Sequence, residues 1–202
     1  MIWYVYSHIF GLKTLMPYIR VIPHEQAEGE LRKIYDNLVN TRGKLAEIHK
    51  IQSLNPQSII NHMDLYLTIM FGKSPVRRYQ REMMAVVVSA ANKCPYCVAH
   101  HGEALNHFWK DSARVNRLAR DYTMAGLDDK DLALCRYAFD LTAHPKTISE
   151  YDHIANLKKQ GIEERALLDA NLVIAYFNFV NRIVTGLGVE LETDGGKGYD
   201  YD

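Results

Sequence analysis

Residues 82–101 read EMMAVVVSAANKCPYCVAHH. The block 83–91 is apolar almost all round, and a helix without a polar face is a buried one. Upstream, Ser74-Pro75 offers a start: the serine can cap, and proline fits a first turn where its missing N–H costs nothing. Downstream, Pro95 removes a donor and disfavours helical geometry at Cys94, so the helix breaks over residues 92–95. A second helix then starts, with Cys94 near its N-cap and Pro95 at its first position. Cys97 falls in the first turn, where free N–H groups and the helix dipole favour a thiolate. His101 lies four residues on, along the same face, and can take or hold the thiol proton. His100 points one residue step away around the helix.

Glu82 stands at the edge of the apolar block. A carboxylate there is costly unless paired, and its position among Arg77, Arg78 and Arg81 favours a solvated face. Cys94 and Cys97 form a C-x-x-C pair, which in a chain with no secretory signal reads first as a redox pair. Cys97 would attack an oxidant and become a sulfenic acid, and Cys94 would close a disulfide before further oxidation. Two other readings are inert buried thiols and a metal half-site made of Cys94, Cys97 and His101, with Glu82 as a fourth ligand. A structural zinc site usually draws on a second cysteine pair, and this sequence has no second C-x-x-C. The expectation is therefore redox chemistry with no metal and no cofactor.

Glu82, then Cys94-Pro95-Tyr96-Cys97, then His101 resembles the motif of the AhpD alkylhydroperoxidase group within the carboxymuconolactone decarboxylase-like superfamily. That motif is a Glu, eleven residues, Cys-x-x-Cys, three residues and a His. The text SAANKCPYCVAHH and the later FNFVNR resemble the uncharacterised peroxidase-related branch, and the resemblance spans residues 16–192. It implies an all-α, single-domain AhpD-like helical bundle in which Cys97 is peroxidatic and Cys94 resolves. Glu82 and His101 would form a proton relay through water. It also implies a hydroperoxide substrate, an external dithiol donor (a lipoyl protein or a thioredoxin-like partner), and a homo-oligomer, either trimer or hexamer. The best-known AhpD proteins carry a histidine inside the C-x-x-C. Here Tyr96 stands there, and a tyrosine titrates far higher. This departure favours an alternative function, a thiol–disulfide oxidoreductase or redox sensor with little peroxidase turnover. Further alternatives are a decarboxylase-like enzyme, against which the C-x-x-C argues, and a non-catalytic oligomeric protein.

The 202 residues suit one domain. Of these, 24 are Lys or Arg and 24 are Asp or Glu, so the formal net charge is zero and no bulk attraction for nucleic acid is expected. Three cysteines and no signal peptide fit a reducing, cytoplasmic setting. No apolar run reaches the length of a bilayer span, so no membrane partner is expected. Residues 1–15 are apolar and aromatic and read as an N-terminal extension, with Met16 a natural start for the family that the motif resembles. The Gly- and Asp-rich residues 193–202 are expected to be disordered.

Apolar positions at helical spacing and breaker residues divide 16–192 into about eight helices, not counting one short segment. They fall near 25–40, 45–54, 56–71, 75–91, 95–109, 111–122, 129–142, 149–160 and 163–185, the second of them short. The methionines Met63, Met70, Met83 and Met84 read as adaptable core, and Cys135 as a small buried hydrophobe. In the last helix Asn178, Asn181 and Arg182 need partners if buried. They could line the redox pocket, although bonding between helices is the commoner use.

Overall fold

A computed structural model of the chain describes residues 17–146, 148–149 and 152–199. The proposed extension, residues 1–15, lies outside the described residues. The architecture follows from the apolar helix. In α4 (Arg78–Ala91) every side chain from Gln80 to Ser89 is buried, so other helices must cover it on all sides. Those neighbours are α5 (Pro95–Trp109), α7 (Asp129–Ala143) and α9 (Glu164–Leu187), with α6 (Ser112–Arg120) and α3 (Pro56–Phe71) adding further contact. The remaining helices are α1 (Gly29–Arg42), the short α2 (Glu47–Lys50) and α8 (His153–Lys159). Among the described residues there are nine helices, two single 3₁₀ turns and no strand. The fold is the expected all-α helical bundle.

Met83, Met84, Leu134, Ile174 and Phe177 are fully buried around α4. Truncating any one of them to alanine should cost about 2–5 kcal/mol. A smaller cluster of Leu31, Tyr35, Leu38, Ile59 and Met63 joins α1 to α3. Tyr66 packs against both clusters and ties them together. Cys135 is buried among apolar neighbours, as its place in the sequence suggests.

Two expectations change. The core helix begins at Arg78, not at Ser74-Pro75. The Ser74 hydroxyl accepts from the Val76 amide at 3.1 Å and donates to Asp169 at 2.6 Å. It therefore anchors a turn to α9 and caps no helix. The start of α4 is fixed instead by Gln80, whose side-chain oxygen accepts from the Arg77 amide at 3.0 Å. The second change concerns apolar length. By length and composition α9 could cross a membrane. In this fold it is a core helix, with Val173, Ile174 and Phe177 fully buried.

The joint between α4 and α5 sets the site. Lys93 takes a left-handed backbone, φ 56°, in a closure usually made by glycine. Its amide bonds to Ala90 O at 3.0 Å, and the Cys94 amide bonds to Ser89 O at 2.9 Å. One turn thus ends α4 and leaves Cys94 as the N-cap residue of α5, with Pro95 at the first helical position. Residues 193–199, expected to be disordered, make side-chain contacts: Lys44 Nζ donates to Asp194 Oδ2 at 2.5 Å, and Tyr199 packs against His100.

Candidate functional site: a dithiol beside a buried carboxylate–imidazole pair

All four sequence-predicted site residues come together at the α4–α5 joint. Cys94 and Cys97 are both reduced and both buried, with their sulfurs 3.1 Å apart. At that separation one thiol donates to the other. The hydrogen bond from Cys97 pulls Cys94 down to about 7, against the opposing push of burial, and the Thr185 hydroxyl helps. The same bond pushes Cys97 up, and burial and the charge on Cys94 add to the rise. The pair therefore loses its first proton around neutral pH and keeps the second. The helix-start argument placed the thiolate on Cys97, whereas the hydrogen bond favours Cys94. Only Cys97 of the two lines the adjoining cavity.

Glu82 is not on a solvated face. It is completely buried, because α4 turns this edge of its apolar block toward α5. Its Oε2 accepts from His101 Nδ1 at 2.7 Å, and Oε1 accepts from Arg78 one turn back. Burial alone would raise this carboxyl. His101 and Arg78 overcome that and hold it below the ordinary carboxylate range. An ionised carboxylate only accepts, so Nδ1 carries the hydrogen and Nε2 is the nitrogen left for proton exchange. The Arg78 guanidinium lies 4.1 Å from the centre of the Phe71 ring, and His101 meets Phe177 edge-on at 4.4 Å. These contacts give both groups fixed orientations.

The cavity next to Cys97 measures about 80 Å³. Its walls are aromatic and histidine-rich: His49, His62, His100, His101, Tyr66 and Tyr176 all face it, with Arg42 at the side. Burial pushes His62 down to about 4 and His49 to about 3, so both are neutral at physiological pH. Tyr96, between the two cysteines, is held by other groups. Its hydroxyl accepts from the Ile48 amide at 3.2 Å and donates to Glu192 Oε1 at 3.0 Å. Glu192 also accepts from His100 Nε2 at 2.7 Å and from the Glu47 amide at 3.0 Å. Burial opposes ionisation there, but His100 and the amide bring Glu192 down to about 2. His100 is thus held by the end of the chain and is not paired with Glu82.

Asn178, Asn181 and Arg182 of α9 do not line the cavity, but the Asn181 side chain reaches the Cys97 thiol from behind and opposes its rise. Asn92 donates to Asn178 at 2.9 Å and to Asn181 at 3.0 Å, and accepts from Arg182 at 2.9 Å. Asn181 also donates to Ser89 at 3.2 Å. They bond α9 to α4, while Tyr176, Phe177 and Val180 of the same helix line the cavity. Sequence reading missed Tyr176, His62, His49 and Glu192. Each reaches the site from another element, and no local spacing marks them. Among the described residues no group of three or more His, Cys, Asp or Glu side chains is arranged to hold a metal ion.

Fold and site together define an all-helical dithiol protein whose cysteines adjoin a buried Glu–His pair. Residues 61–140, which contain all four of these side chains, match the model of the Carboxymuconolactone decarboxylase family. No curated protein matches the chain. Among solved structures it is similar to an uncharacterised peroxidase-related protein from Silicibacter sp. TM1040. That likeness has 24% identity and a TM-score of 0.81, and covers 92% of this chain and 98% of that one. It is also similar to an AhpD-core, peroxidase-related protein from Ralstonia eutropha JMP134, with 19% identity, a TM-score of 0.80, and 89% and 94% covered. A third likeness is to the debrominase Bmp8, with 18% identity, a TM-score of 0.72, and 92% and 96% covered. The family match takes in less than half of the chain, and the structural likenesses show a shared, AhpD-like fold.

Proposed function

We propose that this protein is a cysteine-based peroxidase that reduces hydroperoxides through a Cys94–Cys97 thiol/disulfide cycle. The observation that carries the reading is the joint placement of Cys97 and His101 on one small cavity. Behind them, Cys94 lies 3.1 Å from Cys97 and Glu82 lies 2.7 Å from His101. The pair's single remaining proton moves across the sulfur–sulfur contact to Cys94, leaving the thiolate on Cys97, the sulfur that faces substrate. The thiolate bonds the terminal oxygen of R–OOH and the O–O bond breaks. Sulfur is oxidised by two electrons, and RO⁻ leaves as the reduced product. His101, held by Glu82, takes at Nε2 the first proton the dithiol gives up and passes it to RO⁻ to make ROH. Cys94 then attacks the Cys97 sulfenic acid, a disulfide forms and water leaves. An external dithiol, of the lipoyl or thioredoxin-like kind, exchanges with that disulfide and returns both thiols.

Kinetics on Cys97→Ser test this reading. Peroxide consumption should vanish in the variant, and undiminished consumption removes the idea. A homo-oligomer, either trimer or hexamer, in the cytoplasm belongs to the same proposal. Light scattering of the purified protein addresses its assembly.

One observation favours a second reading, a thiol–disulfide oxidoreductase or redox sensor. The Tyr96 hydroxyl is engaged by Glu192 and the Ile48 amide, so the extra relay group of fast peroxidases has no counterpart at that position. A measured reduction potential combined with slow peroxide kinetics would favour this role. The debrominase likeness makes 2,3,4-tribromopyrrole, present in a Bmp8 complex, the control substrate for a dehalogenating role.

A further inference from the structure

We propose that Tyr176 is a catalytic hydrogen-bond donor to the leaving oxygen of the substrate in the Cys97 cavity, and that Gln52 and His62 fix the direction of its O–H. The inference rests on the peroxidase reading and deepens it by adding a group from α9 and two positioning residues.

The direction of the chain follows from atom types. Gln52 Nε2 lies 2.8 Å from Ile48 O and 2.8 Å from His62 Nδ1. An amide nitrogen can only donate. Exchanging the amide's oxygen and nitrogen would set two acceptors against each other at Ile48, so this orientation is the only one that satisfies both contacts. His62 Nδ1 therefore accepts, and the ring's hydrogen must be on Nε2. That nitrogen lies 2.7 Å from the Tyr176 hydroxyl, which is thereby made an acceptor toward His62. The tyrosine's own hydrogen is not used in that bond, and the hydroxyl has no other hydrogen-bond partner among the described residues. Tyr176 lines the same cavity of about 80 Å³ as Cys97 and His101. A peroxide group bound in this cavity shares it with all three side chains.

The protonation states agree with this geometry. Burial keeps His62 neutral above about pH 4. Burial, helped by Tyr66, Cys97 and Glu82, raises the Tyr176 phenol well above its ordinary value. Tyr176 thus keeps its proton and acts as a fixed dipole toward developing negative charge, the arrangement that stabilises an oxyanion in a dry site. The chemistry divides cleanly. Cys97 forms the S–O bond and the O–O bond breaks toward the R-bearing oxygen. Tyr176 bonds that oxygen as its charge grows, and the proton transferred comes from His101.

The test compares two oxidants on one protein sample. With cumene hydroperoxide the leaving group is a strongly basic alkoxide, whereas with peracetic acid it is a weakly basic carboxylate. The rate of Cys97 oxidation is followed for wild type, Tyr176→Phe and His62→Phe. In Tyr176→Phe the hydroperoxide rate should fall roughly tenfold or more, with a much smaller fall for the peracid. The ratio of the two rates is independent of how much of the sample is folded. His62→Phe should move the ratio in the same direction by less, because the phenol then loses its orienting partner. Equal losses with both oxidants, or an unchanged ratio in both variants, overturn the inference. If wild type itself reacts with hydroperoxide no faster than a free thiol, the peroxidase reading fails first and this one falls with it.

Discussion

The contact of 3.1 Å between Cys94 and Cys97 makes their two ionisations very unequal. The first proton should leave with a midpoint near pH 7, and the second should stay bound far into alkaline pH. Ultraviolet thiolate absorbance of the wild type should therefore show one such transition. In Cys97→Ala the donor is gone, and the midpoint of Cys94 should rise toward the ordinary thiol range. A midpoint unmoved by that substitution would mean that the sulfur–sulfur bond is not what lowers it. Glu82 holds Arg78 and His101 at once. Glu82→Gln leaves a buried guanidinium without its counter-charge and should destabilise the fold by about 3–5 kcal/mol, read as a lower denaturant midpoint. It should also slow Cys97 oxidation by releasing His101. At this scale the motif was legible because Cys94, Cys97 and His101 share one helix, where spacing fixes direction. The burial of Glu82 was not, since Arg77, Arg78 and Arg81 around it look like a solvated face. Arg81 in fact turns inward, donating to Ile69 O at 2.9 Å and Gly72 O at 3.0 Å at the end of α3.

Among the elements, the joint between α4 and α5 is where local sequence rules act most directly. The break before Pro95 follows from proline chemistry, and the left-handed turn at Lys93 completes it. The early start expected for α4 failed because the Ser74 hydroxyl has a tertiary partner, Asp169, that local propensity cannot foresee. The first turn of α5 is also clamped from a distance. Glu192 takes hydrogen bonds from Tyr96 and His100, and the Gly196 backbone passes so close to the His100 ring that an added Cβ would lie 3.0 Å from it. Glu192→Ala should leave Tyr96 and His100 without their shared acceptor, destabilising the fold by roughly 1–3 kcal/mol. Residues 189–199 should exchange amide hydrogens faster in that variant. Unchanged exchange there would show that the clamp does not hold the segment. Nothing in the composition of 189–199 marks this role. Its glycines and aspartates read as disorder, and only the meeting with α5 gives them partners.

For the whole molecule, burial of unprotonated histidines predicts an acid-sensitive fold. His49 and His62 are pushed down to about 3 and about 4, while in the unfolded chain they take up protons near pH 6.5. Their contribution is complete above pH 6.5, and between there and their folded values the unfolded state binds more protons. Stability should fall by about 1.4 kcal/mol per pH unit for each histidine in that window. Glu192 adds to the loss below about pH 4.5, because its folded value is about 2. Denaturant midpoints should be clearly lower near pH 5 than near pH 7, and equal midpoints would contradict the burial of these rings. The all-α architecture itself was readable, because apolar period and breakers locate helices without tertiary information. The cavity was not, because its walls come from α2, α3, α5 and α9, and Tyr176 sits beside asparagines that look like the better pocket candidates.

The central claim is the division of labour between the two sulfurs. It is tested most directly by intact mass before and after one equivalent of cumene hydroperoxide, on wild type and on Cys94→Ser. The account predicts loss of two hydrogens in wild type, as the disulfide closes. In the variant it predicts gain of one oxygen, located on Cys97. Both proteins leaving the treatment unchanged, or the oxygen found elsewhere than on Cys97, would contradict it.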